Sequence, residues 1–403
     1  MSSLIVQVCR VDQVNPHPQA DRMEIARIKG WDSCVVKGQF KAGDKCVYLP
    51  PASVLPTALS DRLNITKYLG MVKKDGVHIG GRVMVANLRG FKSYGTIMPC
   101  ENPEWEVGTD VAEHYGITKW EPPLECNDGN DGDAERPHPA FHRYFDMENI
   151  RNFPNLFQPG DEVVITEKIH GQNCRLGLIR GTNENGEAVW HWMAGSHDVR
   201  RKQWYQKMKQ DRNEETDEPI GEPYPYGDPI ESSFWKCFTP AVRAFMAEQS
   251  NCGYTPEELD NAPLVKDGGE NIVLFGERYG SGVQDMAYGF ENGYTGFRVF
   301  DYTLSGKYVD FEYKQSAFAH HGVEMVPVMY RGPFDFVKVE ELSEGPTTIC
   351  EANKAGKFAG REGVVVLSVT EKLSVTPEKV FERTQLKCIS FAYLSRKGGT
   401  EFH

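Results

Sequence analysis

Through the first hundred residues, apolar side chains come in short runs rich in β-branched residues, each closed by a turn signal. The runs LIVQVCRV (4–11), EIARIKGW (24–31) and KCVYLP (45–50) are punctuated by NPHPQADR, KGQFKAGD and PPAS. No helical period of any length precedes Pro103. Strands about ten residues apart predict a small barrel. A second β stretch, GGRVMVANLRG (80–90) and YGTIMPC (94–100), extends it, and the module closes near GITKWEPP (116–123).

Charge divides the 403 residues unevenly. Residues 1–122 carry 15 Lys+Arg against 13 Asp+Glu and the remainder 30 against 44, so +2 and −14 make up the net −12. An acidic whole argues against non-specific coating of nucleic acid but leaves room for a local basic groove. Much of the acid falls in two Pro-, Gly- and Asn-rich stretches, 124–141 and 211–231, which read as solvated loops. The first, taken as residues 123–140, is the natural linker between a module at 1–122 and a domain at 141–403. No run of about eighteen apolar residues occurs, so no membrane span is expected. MSSLIVQVCRVDQVNP lacks the basic-then-apolar order of a secretory signal. Ten scattered cysteines without a CxxC pair imply reduced thiols in the cytoplasm or another intracellular setting, not a disulfide framework or zinc ribbon.

Beyond the linker, strands and helices mix. WKCFTPAVRAFMAEQS (235–250) reads as a short helix, with Trp235, Phe238, Val242 and Phe245 on one face and Pro240 near its start. In EVVITEKIHGQNCRLGLI (162–179) an apolar strand ends at Glu167-Lys168, a glycine turn follows, and a second strand begins near Asn173. A lysine so placed can be presented into a cleft. Desolvation or cationic neighbours would then depress its pKa and make the amine a nucleophile toward the α-phosphorus of a nucleotide. The competing reading is a lysine pairing with glutamate at a hairpin end. Four further blocks follow in order. NIVLFGERYG (271–280) puts Glu277 after an apolar strand and beside Gly276; GFRVFDYTL (296–304) ends a strand with Phe300-Asp301. REGVVVLS (361–368) starts a strand with Glu362-Gly363, and ERTQLKCIS (382–390) places Lys387 after a short apolar step.

In this order the five blocks resemble motifs I, III, IIIa, IV and V of the covalent nucleotidyltransferase superfamily of polynucleotide ligases and capping enzymes, over residues 140–395. His170, where DNA ligases and capping enzymes usually carry Asp, and Asn173, two residues past Gly171, resemble the nick-sealing RNA ligase group. GVQDMAYG (282–289), LKCISFAYLSRK (386–397) and GITKWEPP resemble its relatives that carry an N-terminal OB module. The N-terminal stretches HPQADRMEIARIKGW and VVKGQFKAGDKCVYLPPASVLP resemble tRNA-binding OB-like modules through His17, Pro18, Ala20, Asp21, Arg22, Gly30, Gly38, Gly43 and Asp44.

The resemblance implies an α+β fold, an antiparallel-sheet nucleotidyltransferase domain preceded by an all-β OB-like barrel. It implies an ATP-dependent RNA ligase that joins 3′-OH and 5′-phosphate ends at nicks, through lysyl-AMP on Lys168, in RNA repair. Glu277 and Glu362 would hold Mg²⁺ or Mn²⁺ as hard oxygen ligands. Lys387 would contact the ATP phosphates. Phe300 would stack on adenine, with Phe297 as the next candidate. Glu167 would meet the adenine edge and Asn173 the ribose or the end being sealed; Ile169 and Gly171 belong to the same nucleotide site. Arg22, and Arg200 or Arg201, are the candidates for RNA contact, since a guanidinium fork suits phosphate. Plainer readings stand beside these: Phe300 as strand core, Glu277 in an ion pair, Glu362 capping a turn, His170 as a satisfied structural histidine, Asp21–Arg22 as an ion pair, Arg200–Arg201 as a solvated turn. Two departures from the family pattern are Gln385, where the first of two lysines is common, with Arg383 as a compensating cation, and Ser196-His197, where serine–arginine is usual. Residues 204–270 carry no readable motif and read as a family-variable insertion, its acidic loop away from nucleic acid. RNA is the expected partner and a monomer the family default, with protein partners unread. A capping-type guanylyltransferase or DNA ligase, or a non-catalytic RNA-binding protein, are the alternatives. Removing residues 1–122 is expected to spare adenylylation of Lys168 and impair sealing.

Overall fold

The computed structural model describes residues 4–74, 77–120, 133–212, 219–266, 268–376 and 379–396. The N-terminal runs fold as short strands buried on both faces, since successive side chains point to opposite sides: along 45–49, Val47 and Leu49 enter one core and Cys46 and Tyr48 another. These are β1 (Val8–Arg10), β2 (Gln13–Pro16), β3 (Met23–Ile28), β4 (Trp31–Val36), β5 (Lys45–Leu49), β6 (Ser53–Leu55), β7 (Gly70–Lys74), β8 (Val77–Arg82), β9 (Val85–Leu88), β10 (Phe91–Tyr94), β11 (Thr96–Pro99) and β12 (Thr118–Lys119). They form four small antiparallel sheets in the orders β1-β5-β11, β2-β3-β4, β10-β9 and β12-β6-β8-β7. Val8, Val47, Leu49, Leu55 and Met98 fill one core among them. The run at 24–31 is broken by Lys29-Gly30, both at positive φ, into the hairpin β3–β4. One expectation fails here. Helix α1 (Thr57–Arg62) precedes Pro103, and at six residues it is too short to display a period.

Residues 121–132, the larger part of the expected linker, lie outside the described residues. Where description resumes, β13 (Ala134–Glu135) pairs with β17 (Arg200–Arg201), so two residues of the stretch are strand, and 136–140 are loop and turn as expected. The remaining strands are β14 (Glu162–Lys168), β15 (Gln172–Thr182), β16 (Ala188–Gly195), β18 (Trp204–Arg212), β19 (Pro219–Glu231), β20 (Ile272–Gly280), β21 (Thr295–Leu304), β22 (Lys307–Tyr308), β23 (Val328–Pro333), β24 (Gly363–Ser368), β25 (Ser374–Val375), β26 (Val380–Phe381) and β27 (Gln385–Ile389). Two antiparallel sheets dominate, a seven-stranded one in the order β13-β17-β16-β15-β20-β21-β22 and a four-stranded one in the order β23-β14-β24-β27.

Helix α2 (Pro240–Gln249) begins five residues later than the helix expected over 235–250: Trp235–Cys237 is a separate 3-10 turn, and Trp235 and Phe238 precede the helix. The Thr239 side chain accepts from Val242 N, and Pro240 occupies the first turn, where no backbone donor is missed. Its buried face, Val242, Phe245 and Met246, packs on Leu176, Trp190, Ile272 and Tyr302 of the large sheet. Full burial of a side chain such as Phe245 contributes about 1.5–3 kcal/mol. The other described α-helices are α3 (Pro256–Leu259), α4 (Phe311–His321), α5 (Phe336–Ser343) and α6 (Phe391–Leu394), with short 3-10 turns at Thr66–Tyr68, Trp235–Cys237 and Ala352–Lys354. The acidic stretch 211–231 differs from the loop expected there. Most of it is β19, paired with β18 as a two-stranded ribbon, and its tip, 213–218, lies outside the described residues. Polar alternation with four prolines hid that strand. Pro219, Pro223, Pro225 and Pro229 cannot donate to a ladder, which suits an edge.

The N-terminal module does not keep its core to itself. Trp31, Tyr48 and Tyr94 share one buried cluster with Ile169, Tyr279, Met286, Tyr288, Ile389 and Tyr393. Tyr94 Oη donates to the Phe391 carbonyl at 3.2 Å, and Arg27 pairs with Glu340 at 3.3 Å. A cut after residue 122 would uncover apolar side chains of this shared cluster, Phe391 among them.

Candidate active site

Strand register builds one wall of a cavity of about 640 Å³. Across β14, β24 and β27, Thr166 pairs with Val365 and Val365 with Lys387; one step along, Val164 pairs with Leu367 and Leu367 with Gln385. Thr166, Lys168, Val365, Leu367, Gln385 and Lys387 all line the cavity. Period-two alternation thus brings Lys168 and Lys387, more than two hundred residues apart in sequence, to one face. From the other sheet, the cross-strand pair Asn173 and Glu277 lines the same cavity. Glu277 lies within β20 and not after it. Asn173 Oδ1 is buried with no hydrogen-bond partner among the described residues, and so is poised for a ligand donor.

Lys168 ends β14, and its Nζ contacts Glu362 Oε1; the lysine side chain is 24% exposed and the glutamate 1%. Glu362 stands just before β24, opposite the end of β14, because Lys168 pairs with Gly363. Gly363 has φ +157, and a Cβ there would lie 2.1 Å from the Cys388 carbonyl oxygen. Gly171 is equally constrained, since its Cβ would meet the Arg278 carbonyl oxygen at 2.3 Å. That tight approach is what lets β15 start immediately after the nucleophile strand.

His170 reads as a satisfied histidine. Nε2 lies 2.7 Å from Asp285 Oδ1, Nδ1 lies 2.8 Å from Tyr393 Oη, and its backbone N donates to Tyr288 Oη. Asp285 in turn pairs with Arg396 at 3.3 Å. Burial and the nearby Arg396 charge lower the imidazole's pKa, against the opposing pull of Asp285. The 282–289 stretch and the 386–397 stretch, which carried no role in sequence, therefore converge on His170. Residues 397–403 lie outside the described residues.

Phe300 reaches the cavity through a bulge. Val299 pairs with Gly276 and Asp301 with Phe275, so Phe300 has no cross-strand partner and is turned by the irregularity. Phe297, Val299 and Tyr302 pack into the core on the other side. Phe300 lies mid-strand, not at its end, and Tyr144 meets it edge-on at 5.0 Å. Behind it lies a buried charge network. Asp301 accepts from Lys314 Nζ at 3.0 Å, Arg383 Nη1 at 2.6 Å and Tyr144 Oη at 2.9 Å. Burial pushes this carboxyl up, but the Arg383 and Lys314 charges outweigh it and hold the pKa below the usual value.

Several expected roles move. Arg383 does not compensate for Gln385, because it is 5% exposed and committed to Asp301 and Glu371. Gln385 lines the cavity and bonds Tyr144 Oη. Glu167 lines the cavity, but its side chain alternates away from that of Lys168, and its carboxylate accepts from Thr348 N at 2.8 Å and the hydroxyls of Thr347 and Thr348. Ile169 is buried core that also lines the cavity. Arg200 and Arg201 pair with Glu135 and Asp133 at 2.9 and 2.5 Å and line no part of the cavity; exposed Arg22 lies off it too. Lys119, Trp120, Arg143 and His197 line it without having been identified as site residues. GITKWEPP held a signal for the first two, but not their destination.

The RNA ligase family model matches residues 161–388, and an OB-fold domain model matches residues 5–100. No curated protein matches the chain. Among solved structures, the chain is similar to Naegleria gruberi RNA ligase in three forms. A variant with AMP and Mn is 21% identical, with a TM-score of 0.63 over 98% of this chain and 99% of that one. The form with PPi is 22% identical, at 0.62 over 97% and 98%. A variant with ATP and Mn is 21% identical, at 0.63 over 98% and 100%. With more than half of its length matched by that family, and an OB-fold domain before it, the chain belongs to the RNA ligase family.

Proposed function

We propose that the chain is an ATP-dependent RNA ligase that joins 3′-OH and 5′-phosphate ends at nicks through lysyl-AMP, in RNA repair, on a covalent-nucleotidyltransferase arrangement of the two large sheets. The observation that carries this reading is Lys168 at the cavity wall, its amine held by buried Glu362, with Lys387 on the same face and Glu277 opposite. The donor set fits a divalent cation, since one carboxylate, Glu362, meets the amine and a second, Glu277 of the other sheet, lines the same cavity as Lys168. Binding of Mg²⁺ or Mn²⁺ at Glu277 and Glu362 would draw carboxylate charge away from the lysine and offset the charge of the phosphates.

In the proposed first step the Lys168 amine, once deprotonated, attacks the α-phosphorus; the N–P bond forms and the bond to pyrophosphate breaks. Lys387, Lys119 and Arg143, the last paired with Asp198 at 2.8 Å, line the cavity that would receive the phosphates, where fixed positive charge stabilises the transition state. Adenine would stack on Phe300, over a floor of Val365 and Leu367. Asn173 would donate to or accept from the ribose or the incoming end. A 5′-phosphate oxygen then attacks the phosphorus of lysyl-AMP and releases the lysine; a 3′-hydroxyl displaces AMP from the adenylated end.

The test is transfer of label from α-labelled ATP with Mg²⁺ or Mn²⁺, followed by denaturation. A covalent adduct that is lost in Lys168→Ala, and sealing of a nicked RNA duplex, are expected. Labelling by GTP and not ATP, or no adduct from a folded protein, would refute the reading.

A further inference from the structure

The net charge of +2 over residues 1–122 conceals a much stronger local imbalance. Residues 62–92 contain seven Lys and Arg against the single Asp75, a net of +6 in a chain of −12. Four of the seven cations, Lys67, Lys73, Lys74 and Arg82, fall in the β7–β8 ribbon or the turn before it, while Arg62 ends α1 and pairs with Glu101 at 3.1 Å. Large apolar side chains are left exposed there as well. Tyr68 is 56% exposed, Met71 72%, and Ile79 and Met84 44% each. Exposed apolar side chains, with one aromatic ring among them, interleaved with cations suit a polyanion with stackable faces.

The sheet leads from this ribbon to the cavity. In the order β12-β6-β8-β7, the ribbon's outer strand lies three strand spacings, about 14 Å, from β12. Lys119 of β12 and the adjacent Trp120 line the cavity, and the Arg82 guanidinium stacks 3.4 Å above the Trp120 ring. The Arg82–Trp120 stack thus joins the ribbon's inner strand to the cavity wall.

We infer that the β7–β8 ribbon and the turn at 62–69 bind RNA and guide it to the Lys168 cavity. The inference rests on the RNA ligase reading above. Lys67 and Tyr68, with the lysine Nζ 5.0 Å from the ring centroid, are the outer contacts. The ribbon replaces Arg22, Arg200 and Arg201 as the RNA surface of this chain.

The experiment uses the full chain with Lys67→Glu/Tyr68→Ala and, separately, Met71→Glu, all at exposed positions outside the catalytic machinery. Binding to a nicked RNA duplex is titrated over a range of KCl, and AMP labelling of Lys168 is measured without RNA. Expected are labelling within about twofold of wild type, RNA affinity lowered about tenfold or more, and a log–log salt slope reduced by about one for the lost lysine. Unchanged affinity and slope in both variants would overturn the inference. A wild type that takes AMP but binds no RNA would also overturn it, leaving nucleotide transfer intact. A wild type that binds RNA through these residues but never takes AMP would uphold the surface and refute the ligase reading.

Discussion

Asp301→Asn is the sharpest test of how the site is braced. Lys314 lies 3.0 Å and Arg383 2.6 Å from the Asp301 carboxylate; Asp301 and Lys314 side chains are each 1% exposed. Neutralising Asp301 leaves Arg383 with Glu371 but strips Lys314 of the carboxylate it faces. Breaking a buried pair from one side costs about 3–5 kcal/mol. At about 2–4 °C per kcal/mol for a domain of this size, the Tm should fall roughly 6–20 °C. Removing both charges in Asp301→Asn/Lys314→Met is close to neutral in such networks, so the double variant should recover most of the loss. Thermal and urea melts of the two variants against wild type measure both effects. A single variant within about 1 kcal/mol of wild type, or a double variant less stable than the single, would refute the reasoning. The pH dependence has a fixed sign. Asp301 is held below its ordinary pKa, so its stabilisation is fully present above about pH 3.9 and is lost as pH falls through the depressed value. Wild type should lose stability below about pH 4 more steeply than the double variant.

Other outcomes follow from particular contacts. Phe300→Ala should raise KM for ATP in lysine adenylylation, whereas Phe297→Ala, in the opposite core, should lower Tm with KM unchanged; the reverse pattern would reassign the stack. Gly171→Ala places a Cβ 2.3 Å from a carbonyl oxygen and should cost about 1–3 kcal/mol with a loss of labelling, read by melts and adduct yield. The buried thiols of Cys9 and Cys34 are pushed up to about 11, chiefly by burial, so native protein should react with a thiol reagent at pH 8 far more slowly than urea-unfolded protein; equal rates would count against that burial.

What the sequence made legible was local. Lys168, Glu362 and Lys387 sit beside strand ends or inside short apolar strands, and each is announced by residues within five positions of it. The cavity itself depends on which strands pair, and pairing is long-range: Thr166, Val365 and Lys387 share a row only through a register that no local pattern encodes. The choice between Phe300 and Phe297 turned on one unpaired residue in β21, invisible to a period-two reading. His170 acquired its partners from two stretches more than a hundred residues away. The β18–β19 ribbon was missed because proline and acid content outweighed its alternation.

The shared core has a consequence for how the chain is made. Trp31 and Tyr94 pack around Phe391, with ring centroids 5.6 and 4.7 Å from it. Some 300 residues separate Tyr94 from Leu394, and a ribosome adding about 5–20 residues per second needs roughly 15–60 s to cover them. Throughout that interval the nascent N-terminal module presents an aromatic face whose lid has not yet been synthesised. Slowing elongation late in the message, or depleting the chaperones that shelter such faces, should cost this protein more yield than one whose modules close independently.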